Sequence, residues 1–259
     1  MSEKGEKSQE AEEDERDALR AYRGKRDFGR TREPSGATPG EAPGRTAGEP
    51  GTPGRTAVAP GGEPAAGDRD PVFVVQIHDA SSLHFDFRLE VDGVLKSWSV
   101  PKGPSTDPRD KRLALPTEDH PMEYRDFEGV IPPGEYGGGT VIVWDQGTYR
   151  PTSHDRRDRP VPFARALENG HATFELHGEK LRGPYALTRF HGREERSGGS
   201  ASGKKPTWLL VRKGSGHGGS GTGTPDPRRA RSARSGRTLR QVAEAPDAAT
   251  WEPDRGERR

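Results

Sequence analysis

Cysteine is absent from this chain of 259 residues. Its absence excludes disulfide bonds, thiolate metal ligands and a cysteine nucleophile, and it fits a cytoplasmic location. Long apolar runs are absent as well: the longest aliphatic run is Leu209–Val211, far short of the ~20 residues that cross a bilayer. The opening segment, MSEKGEKSQEAEEDER, contains no apolar stretch of the kind found in secretory signals. We therefore expect neither a membrane span nor an exported protein.

Apolar residues are scarce throughout, at 27% of the chain against 32% charged residues, whereas glycine contributes 35 residues and proline 24. A chain of this composition cannot bury enough surface to offset the entropy of ordering all its residues. A single core of 259 residues is therefore excluded. The net charge is +1, so binding to a polyanion has to depend on local basic patches.

Aromatic residues mark the folded part, because 14 of the 17 lie between Val72 and Trp208. Within that window, residues 192–206 predict an exposed loop before the last strand. The sequence before the window is rich in Gly and Pro, and the sequence after it is polar. The predicted division is an N-terminal helix and motif arm over 1–34, a disordered linker over 35–70, a barrel domain over 71–213 and a disordered, arginine-rich tail over 214–259.

The two ends differ from the linker in their charge patterns. Glu10–Arg23 predicts a charged helix with Leu19 and Tyr22 on one side. The tail carries six arginines and no acid in Arg228–Arg240, followed by a short amphipathic pattern. Such a tail either adds salt-sensitive contacts to phosphates or is solvated and disordered, and the charge pattern leaves both open.

A period of two dominates the aromatic window. His84–Val91 alternates polar and apolar residues, Asp92-Gly93 is a strong two-residue turn, and Val94–Val100 returns as the partner strand. These short strands predict a mainly β fold, an antiparallel sheet closed into a compact barrel or a sandwich, with no convincing helix in the window. The other predicted strands are Phe73–Ile77, Arg112–Leu115, Thr140–Trp144, Ala172–Leu176, Tyr185–Phe190 and Thr207–Arg212.

The alternation also predicts a metal site. It places His84 and Asp86 on one face of a strand, and the short connection Asp79–Leu83 brings His78 close to His84. Two imidazoles and one carboxylate resemble a facial triad, with positions left open for water or substrate. Nitrogen and oxygen ligands suit Mn, Fe, Co, Ni or Zn. A half-exposed strand whose polar side faces water is the alternative interpretation.

Cations around this triad favour a phosphate ligand. Arg88 lies two residues beyond the carboxylate, and its planar fork suits phosphate. Glu118 and His120 form a second alternating pair after a strand that carries Arg112, and Lys102 stands on a rigid turn. Taken singly, Arg112 and Lys102 are typical of surface charges. Together with a metal and a titratable histidine, these groups indicate a site for phosphoryl hydrolysis.

Several segments, in order along the chain, resemble the 3′-phosphoesterase domain of bacterial DNA ligase D. The resemblance covers the folded window and the N-terminal arm, although the linker after Pro34 is longer than is usual for that family. The matching segments are Gln76–Glu90, Ser97–Ser105, Glu118–Tyr124, Phe127–Gly139 and, in the arm, Lys25–Phe28 with Thr31–Pro34.

The resemblance implies a compact β-barrel with a polar crevice and a divalent-metal enzyme, usually manganese-dependent. Members of the family heal DNA 3′ ends before ligation in non-homologous end joining. They remove a terminal ribonucleotide from a primer strand as 3′-phosphodiesterases, and then convert the remaining 3′-phosphate to a 3′-hydroxyl as phosphomonoesterases. The expected substrates are primer–template ends in the bacterial nucleoid, within the cytoplasm. We expect a stand-alone member that cooperates with Ku and a separate ATP-dependent DNA ligase.

The resemblance also assigns roles to residues. It implies that His78, His84 and Asp86 hold the metal. The arm is expected to wrap back onto the barrel and deliver Arg26 to the crevice. The remaining implied residues are Arg88, Arg26 and His120 on the phosphate, supported by Asp27, Glu33, Gln76, Lys102, Arg112, Glu118 and Tyr124.

Two alternatives from other classes remain. One is a non-catalytic module that binds DNA ends and recruits a ligase. The complete set His78, His84, Asp86 and Arg88 disfavours it, because an inactive descendant need not keep all of them. The other is a metal-dependent oxygenase on a β-barrel, which has no general need of phosphate-suited cations.

Overall fold

Nine antiparallel strands form in the part of the chain that the structure, a computed structural model, describes: residues 14–36, 69–190, 206–214 and 223–245. Each strand predicted from the period-two pattern is present, with extended ends in several cases. The strands are β1 (Val72–Asp79), β2 (Leu83–Val91), β3 (Val94–Val100), β4 (Arg112–Pro116), β5 (Gly129–Ile131), β6 (Gly139–Pro151), β7 (His171–Gly178), β8 (Arg182–Phe190) and β9 (Thr207–Arg212).

The sheet closes on itself. Its order is β1-β2-β3-β4-β9-β8-β7-β6-β5, and a further pairing of β1 with β6 joins the first strand to the eighth. The short strand β5 pairs beside the start of β6 and stands outside this closed ring. The predicted antiparallel β-barrel is thereby confirmed, and the sandwich is not the arrangement formed.

Alternation along the strands sorts side chains into an apolar interior and a second, outer face. Phe85, Phe87 and Leu89 of β2 belong to the interior cluster, as the pattern predicts. The turn between β2 and β3 has positive φ at Asp92 (50°) and Gly93 (79°), as a two-residue hairpin turn requires. This turn fixes the register that directs the polar residues of β2 outward.

Helices are few and short among the described residues. They are α1 (Arg20–Arg23), the 3-10 turn η1 (Met122–Asp126), α2 (Phe163–Glu168) and α3 (Leu239–Ala243). None of the described helices is long and apolar enough to cross a membrane. The expectation of no helix within the window is wrong for α2, which buries Phe163 and Ala166 at a helical spacing of three. Strand β5 was also absent from the prediction, since three residues are too short for a pattern.

The arm packs on the outer face of the barrel. Residues 14–18 are also helical, and Leu19 and Tyr22, expected on one side of the arm, are both fully buried. Tyr22 joins a second apolar cluster that includes Val74 of β1 and Leu95 of β3. Residues 1–13 and 37–68, with most of the predicted linker, lie outside the described residues, as do residues 191–205, with most of the loop predicted over 192–206.

The prediction of a disordered tail from residue 214 is wrong for residues 223–245. There Ala230, Leu239 and Val242 are buried and join the interior cluster of the barrel. Thr238 caps α3 through a capping box with Gln241, which satisfies the first backbone N–H groups of this short helix. Three buried apolar residues and one capping box are enough to hold this short segment in place, because it packs on a core that the barrel strands already form. Residues 215–222 and 246–259 lie outside the described part.

This packing predicts that Leu239→Ala lowers the free energy of unfolding by about 2 to 3 kcal/mol, since a buried leucine side chain would be removed. Urea unfolding of the whole chain measures the change. The matched control is Leu113→Ala, at a leucine that is 42% exposed on β4, for which a change below about 0.5 kcal/mol is expected. Equal, small effects of both substitutions would contradict the packing of the tail.

Candidate active site

Two adjacent strands bring the predicted metal ligands together. His78 on β1 and His84 on β2 are cross-strand partners, and their ring centroids are 5.0 Å apart. Asp86 lies between them, with its Oδ2 3.8 Å from His78 Nδ1 and its Oδ1 3.6 Å from His84 Nε2. One potential ligand atom from each of the three residues lies within 4.8 Å of the other two. These separations are too long for hydrogen bonds but suit ligands that share one ion at about 2.1 Å.

The second nitrogen of each imidazole is already engaged. His78 Nε2 lies 2.7 Å from the carbonyl of Gly137, and His84 Nδ1 lies 2.7 Å from the carbonyl of Ser82. Because a carbonyl only accepts, hydrogens are assigned to both of these nitrogens, and the nitrogens that face Asp86 are the ones left to bind a metal. Gly137 adopts φ 76° to present its carbonyl, a conformation that favours glycine. The residues present therefore fit a divalent metal in donor type, spacing and tautomer.

Asp86 stays ionised within this buried cluster. Burial alone would raise the pKa of its carboxyl, but Arg88 and the two histidines outweigh burial and hold that pKa well below its usual range. Arg88 Nη2 donates to Asp86 Oδ2 over 2.9 Å. An ionised carboxylate is the form that ligates a metal.

Arg88 is buried and fully surrounded by acceptors. Its Nε donates to Gln76 Oε1 over 2.8 Å, and Nη1 donates to Ser97 Oγ over 2.9 Å. Gln76 in turn donates to the carbonyls of Tyr124 and Phe127 over 3.0 and 2.9 Å. Gln76 therefore holds Arg88 against the segment that covers the outer face.

His120 enters the site from the segment that pairs with β3. Its backbone exchanges hydrogen bonds with Leu95, and its Nδ1 lies 2.9 Å from the carbonyl of Glu118. The same Nδ1 also lies 3.0 Å from Arg88 Nη1, so it faces both an acceptor and a donor, while Nε2 lies 3.4 Å from Arg26 Nη2. Burial, reinforced by the charges of Arg88 and Arg26, lowers the pKa of His120 well below its usual range. The imidazole is therefore neutral.

The arm delivers Arg26 to the same place. The guanidinium donates to Glu33 Oε1 over 2.8 Å and to Glu118 Oε1 over 3.1 Å, and it lies 3.8 Å from the centre of the Tyr22 ring. Nη2 reaches within 3.4 Å of His120 Nε2. The wrapping of the arm onto the barrel, expected from the sequence, is present in the structure.

Glu33 is the group that fixes the arm from within. Its Oε1 also accepts from the hydroxyl of Tyr124 over 3.0 Å, and its Oε2 accepts from Thr31 over 3.1 Å. Burial and the charge of Glu33 raise the pKa of Tyr124 well above its usual range. Tyr124 is therefore a neutral donor that joins η1 to the arm.

These side chains line one cavity of about 330 Å³. The lining or supporting residues that were not predicted from the sequence include Tyr136, which is 47% exposed, and Lys25, whose Nζ donates to Glu118 and to the Tyr136 hydroxyl over 3.0 Å each. Tyr136 lies within Phe127–Gly139, one of the segments that resemble the family, and no other feature of the sequence indicated that it belongs to the site. The predicted residues that line the cavity are His78, His84, Asp86, Arg88, Arg26, His120, Glu118 and Tyr124.

Three predicted supporting residues do not reach the cavity. Asp27 is exposed and accepts from the backbone N–H of Gly29 in a local turn. Lys102 is exposed on the turn after β3. Arg112 pairs with Asp110 over 2.7 Å at the start of β4. The structure thus gives no support to a direct role for these three in the site.

Comparison with known proteins identifies the domain. Residues 76–189 match the family model described as the DNA ligase D 3′-phosphoesterase domain. The barrel domain of this chain belongs to that family. The matched residues contain the whole metal triad and the cavity residues that follow it, while the arm that carries Arg26 precedes them.

The phosphoesterase domain also resembles one part of longer curated proteins. It is 43% identical over 196 residues, 75% of this chain, to the multifunctional non-homologous end joining protein LigD of Pseudomonas aeruginosa. It is 40% identical over 176 residues, 68% of this chain, to the multifunctional non-homologous end joining DNA repair protein LigD of Mycobacterium tuberculosis. The chain spans 18% and 19% of the length of these two relatives.

The environment of His120 predicts that its ring stays neutral when the pH falls through 6.5. The unfolded chain takes up a proton there and the folded chain does not, so stability is complete above about pH 6.5 and decreases below it, by at most about 1.4 kcal/mol per pH unit. Carbon-13 NMR of the His120 ring measures protonation, and urea unfolding at pH 7.5 and 5.5 measures stability. A smaller pH effect is expected for His120→Gln, and a ring that protonates near pH 6.5 would contradict the prediction.

Proposed function

We propose that this domain is a divalent-metal-dependent phosphoesterase that heals DNA 3′ ends. It removes a 3′-terminal ribonucleotide and the 3′-phosphate that remains, and thereby prepares a 3′-hydroxyl for ligation in non-homologous end joining. The observation that carries the proposal is the convergence of the metal triad, two arginines and a neutral histidine in one cavity. Membership of the phosphoesterase family supports it, and the similarity to non-homologous end joining proteins supports the end-joining context.

The triad is the metal-binding part of the proposal. His78, His84 and Asp86 would hold the ion, and the mixed nitrogen and oxygen donors suit manganese. Such an ion, when bound, polarises a phosphate oxygen and lowers the pKa of a bound water. Three protein ligands leave coordination positions open for both.

The arginines bind and orient the phosphate. One Nη2 hydrogen of Arg88 bonds to Asp86, and the second Nη2 hydrogen can bond to an anion beside the triad. Arg26 approaches from the arm, with its position set by Glu33 and Glu118. Fixed cations in a water-poor cavity stabilise the charge that develops on the phosphoryl oxygens without having to reorient.

His120 acts as a neutral hydrogen-bonding group and not as a third cation. In the neutral ring with its proton on Nδ1, directed at the carbonyl of Glu118, Nε2 would present a lone pair to the cavity. That lone pair accepts a hydrogen bond from a water or from a protonated phosphate oxygen. The negative charge of a bound phosphate offsets the arginines that depress its pKa, so His120 takes up a proton more readily once substrate is bound.

The direct test uses a 5′-labelled primer–template that ends in a 3′-phosphate or in a single ribonucleotide. With manganese, we expect the ribonucleotide end to pass through a 3′-phosphate to a 3′-hydroxyl, and we expect EDTA to stop both steps. His84→Ala should lower both rates at least 100-fold, because it removes a metal ligand.

His154→Ala is the matched control for that assay, since His154 is exposed in the connection after β6, and it should keep the wild-type rates. If the wild-type protein with manganese binds the DNA and leaves both ends intact, the domain is a non-catalytic end-binding module. If His84→Ala remains active, the metal site is wrongly assigned.

Arg26→Lys tests the contribution of the arm. Lysine keeps the charge but cannot bond Glu33 and Glu118 with one planar fork, and kcat/KM on the 3′-phosphate end should fall about 10- to 100-fold. The control is Arg20→Lys on the same arm, where the side chain is 85% exposed and no change is expected. Manganese affinity, measured by calorimetry, should stay at the wild-type value in both variants, because neither residue is a ligand.

A further inference from the structure

A groove of about 690 Å³ lies between the folded tail and the metal-bearing end of the barrel. Four arginines and one aspartate contribute to its wall, which gives the groove a net positive charge. The charged lining residues are Arg228, Arg229, Arg231, Arg240 and Asp79.

The groove adjoins the active site through the backbone. Asp79 follows the metal ligand His78 on β1, and it pairs with Thr140 on β6, which also lines the groove. Gly137, whose carbonyl fixes His78, lies three residues before Thr140. The groove and the cavity therefore share the end of β1, where Asp79 and His78 belong to opposite faces of the strand.

The arginines of the groove are available to an anion. Arg228, Arg229 and Arg240 are exposed. The ion pairs that Arg229 and Arg240 form, with Asp226 at 3.7 Å and Glu244 at 4.0 Å, are long and solvent-exposed and contribute little stability. Between these two acids, Pro227–Ala243 carries six arginines and no acidic residue, so the segment keeps a net positive charge.

The backbone beneath these arginines is held in place. Ala233 N–H donates to the carbonyl of Val143 on β6 over 2.8 Å, and Lys180 Nζ donates to the carbonyl of Arg231 over 2.7 Å. Ala230 and Leu239 are buried in the barrel core. A segment that is anchored at several points and directs its arginines outward forms a fixed basic surface, in contrast to a solvated tail.

We propose that this groove binds the phosphodiester backbone of the DNA whose 3′ end occupies the active site. The inference rests on the proposed function for the identity of its substrate. An open groove with several exposed arginines suits a chain of phosphates, whereas a single free phosphate is held by buried, convergent donors. The contacts are to phosphates and do not read the base sequence. The groove therefore adds affinity for any DNA 3′ end and helps to position that end in the active site.

The test compares two triple variants of the whole chain that lose equal charge. The groove variant is R228Q/R229Q/R240Q, and the control is R150Q/R156Q/R157Q, at exposed arginines about ten residues further along β6 and beyond it, on the order of 30 Å from the groove. Fluorescence anisotropy measures binding of a labelled primer–template in EDTA, where no cleavage interferes. The salt dependence of the affinity is measured for each protein.

We expect the groove variant to bind the DNA at least 10-fold more weakly than wild type at 100 mM salt. The slope of log affinity against log salt should become shallower by about 2 to 3, because each lost phosphate contact removes about 0.7 to 0.9. The control variant should keep the wild-type slope within about 1. Equal losses in both variants, or no loss in the groove variant, overturn the proposal.

A second measurement separates this inference from the proposed function. With manganese, the rate of the groove variant should fall more on primer–template than on a single nucleoside 3′-phosphate, which is too short to reach the groove. If wild type hydrolyses neither substrate, the proposed function fails, and the anisotropy comparison still decides the groove. If the triple variant unfolds, R228Q and R240Q replace it, each with a slope shallower by about 1.

Discussion

The buried charge of Arg88 is the interaction on which the rest of the site depends. Its side chain is only 3% exposed, and a buried cation is tolerated only when its hydrogens are paired. The pairs come from three separate parts of the barrel: Asp86 beside it on β2, Gln76 on β1 and Ser97 on β3. Removing any one of them leaves a buried charge partly unpaired, so the candidate metal ligand Asp86, the barrel wall and the arginine proposed to bind phosphate form one unit.

The outer face of the barrel can hold such a unit because it is covered. Tyr22 of the arm and Tyr124 of η1 pack edge to face, with ring centroids 5.9 Å apart, and the neutral ring of His120 lies 4.9 Å from Tyr22. These rings exclude water from one side of the cavity, which strengthens every charge interaction inside it. The barrel thus has an apolar interior for stability and a second, polar interior for chemistry, closed by the arm.

Local patterns in the sequence were sufficient to predict the barrel strands and the convergence of His78, His84 and Asp86, since strand alternation and a short turn determine which of those side chains meet. Contacts between segments that are far apart in the sequence were harder to predict. The folding of the tail depends on Leu239 finding a core formed by other residues, and the pairing of Lys25 with Glu118 and Tyr136 joins three segments. Lys102 and Arg112 were assigned to the site because an isolated cation in a motif has no local feature that reveals where its side chain points.

The charge of the cavity explains why a divalent metal belongs to the proposed chemistry. Three cations, Arg88, Arg26 and Lys25, are matched by three carboxylates within hydrogen-bonding distance. These partners are Asp86, Glu33 and Glu118. The protein groups alone are therefore close to neutral, whereas a phosphate monoester carries nearly two negative charges above a pH of about 6. Burying that dianion in a neutral, water-poor cavity is costly. A divalent ion on the triad would restore the balance, so we expect the proposed monoesterase step to depend more strongly on the metal than the proposed removal of a ribonucleotide, whose phosphodiester carries one charge.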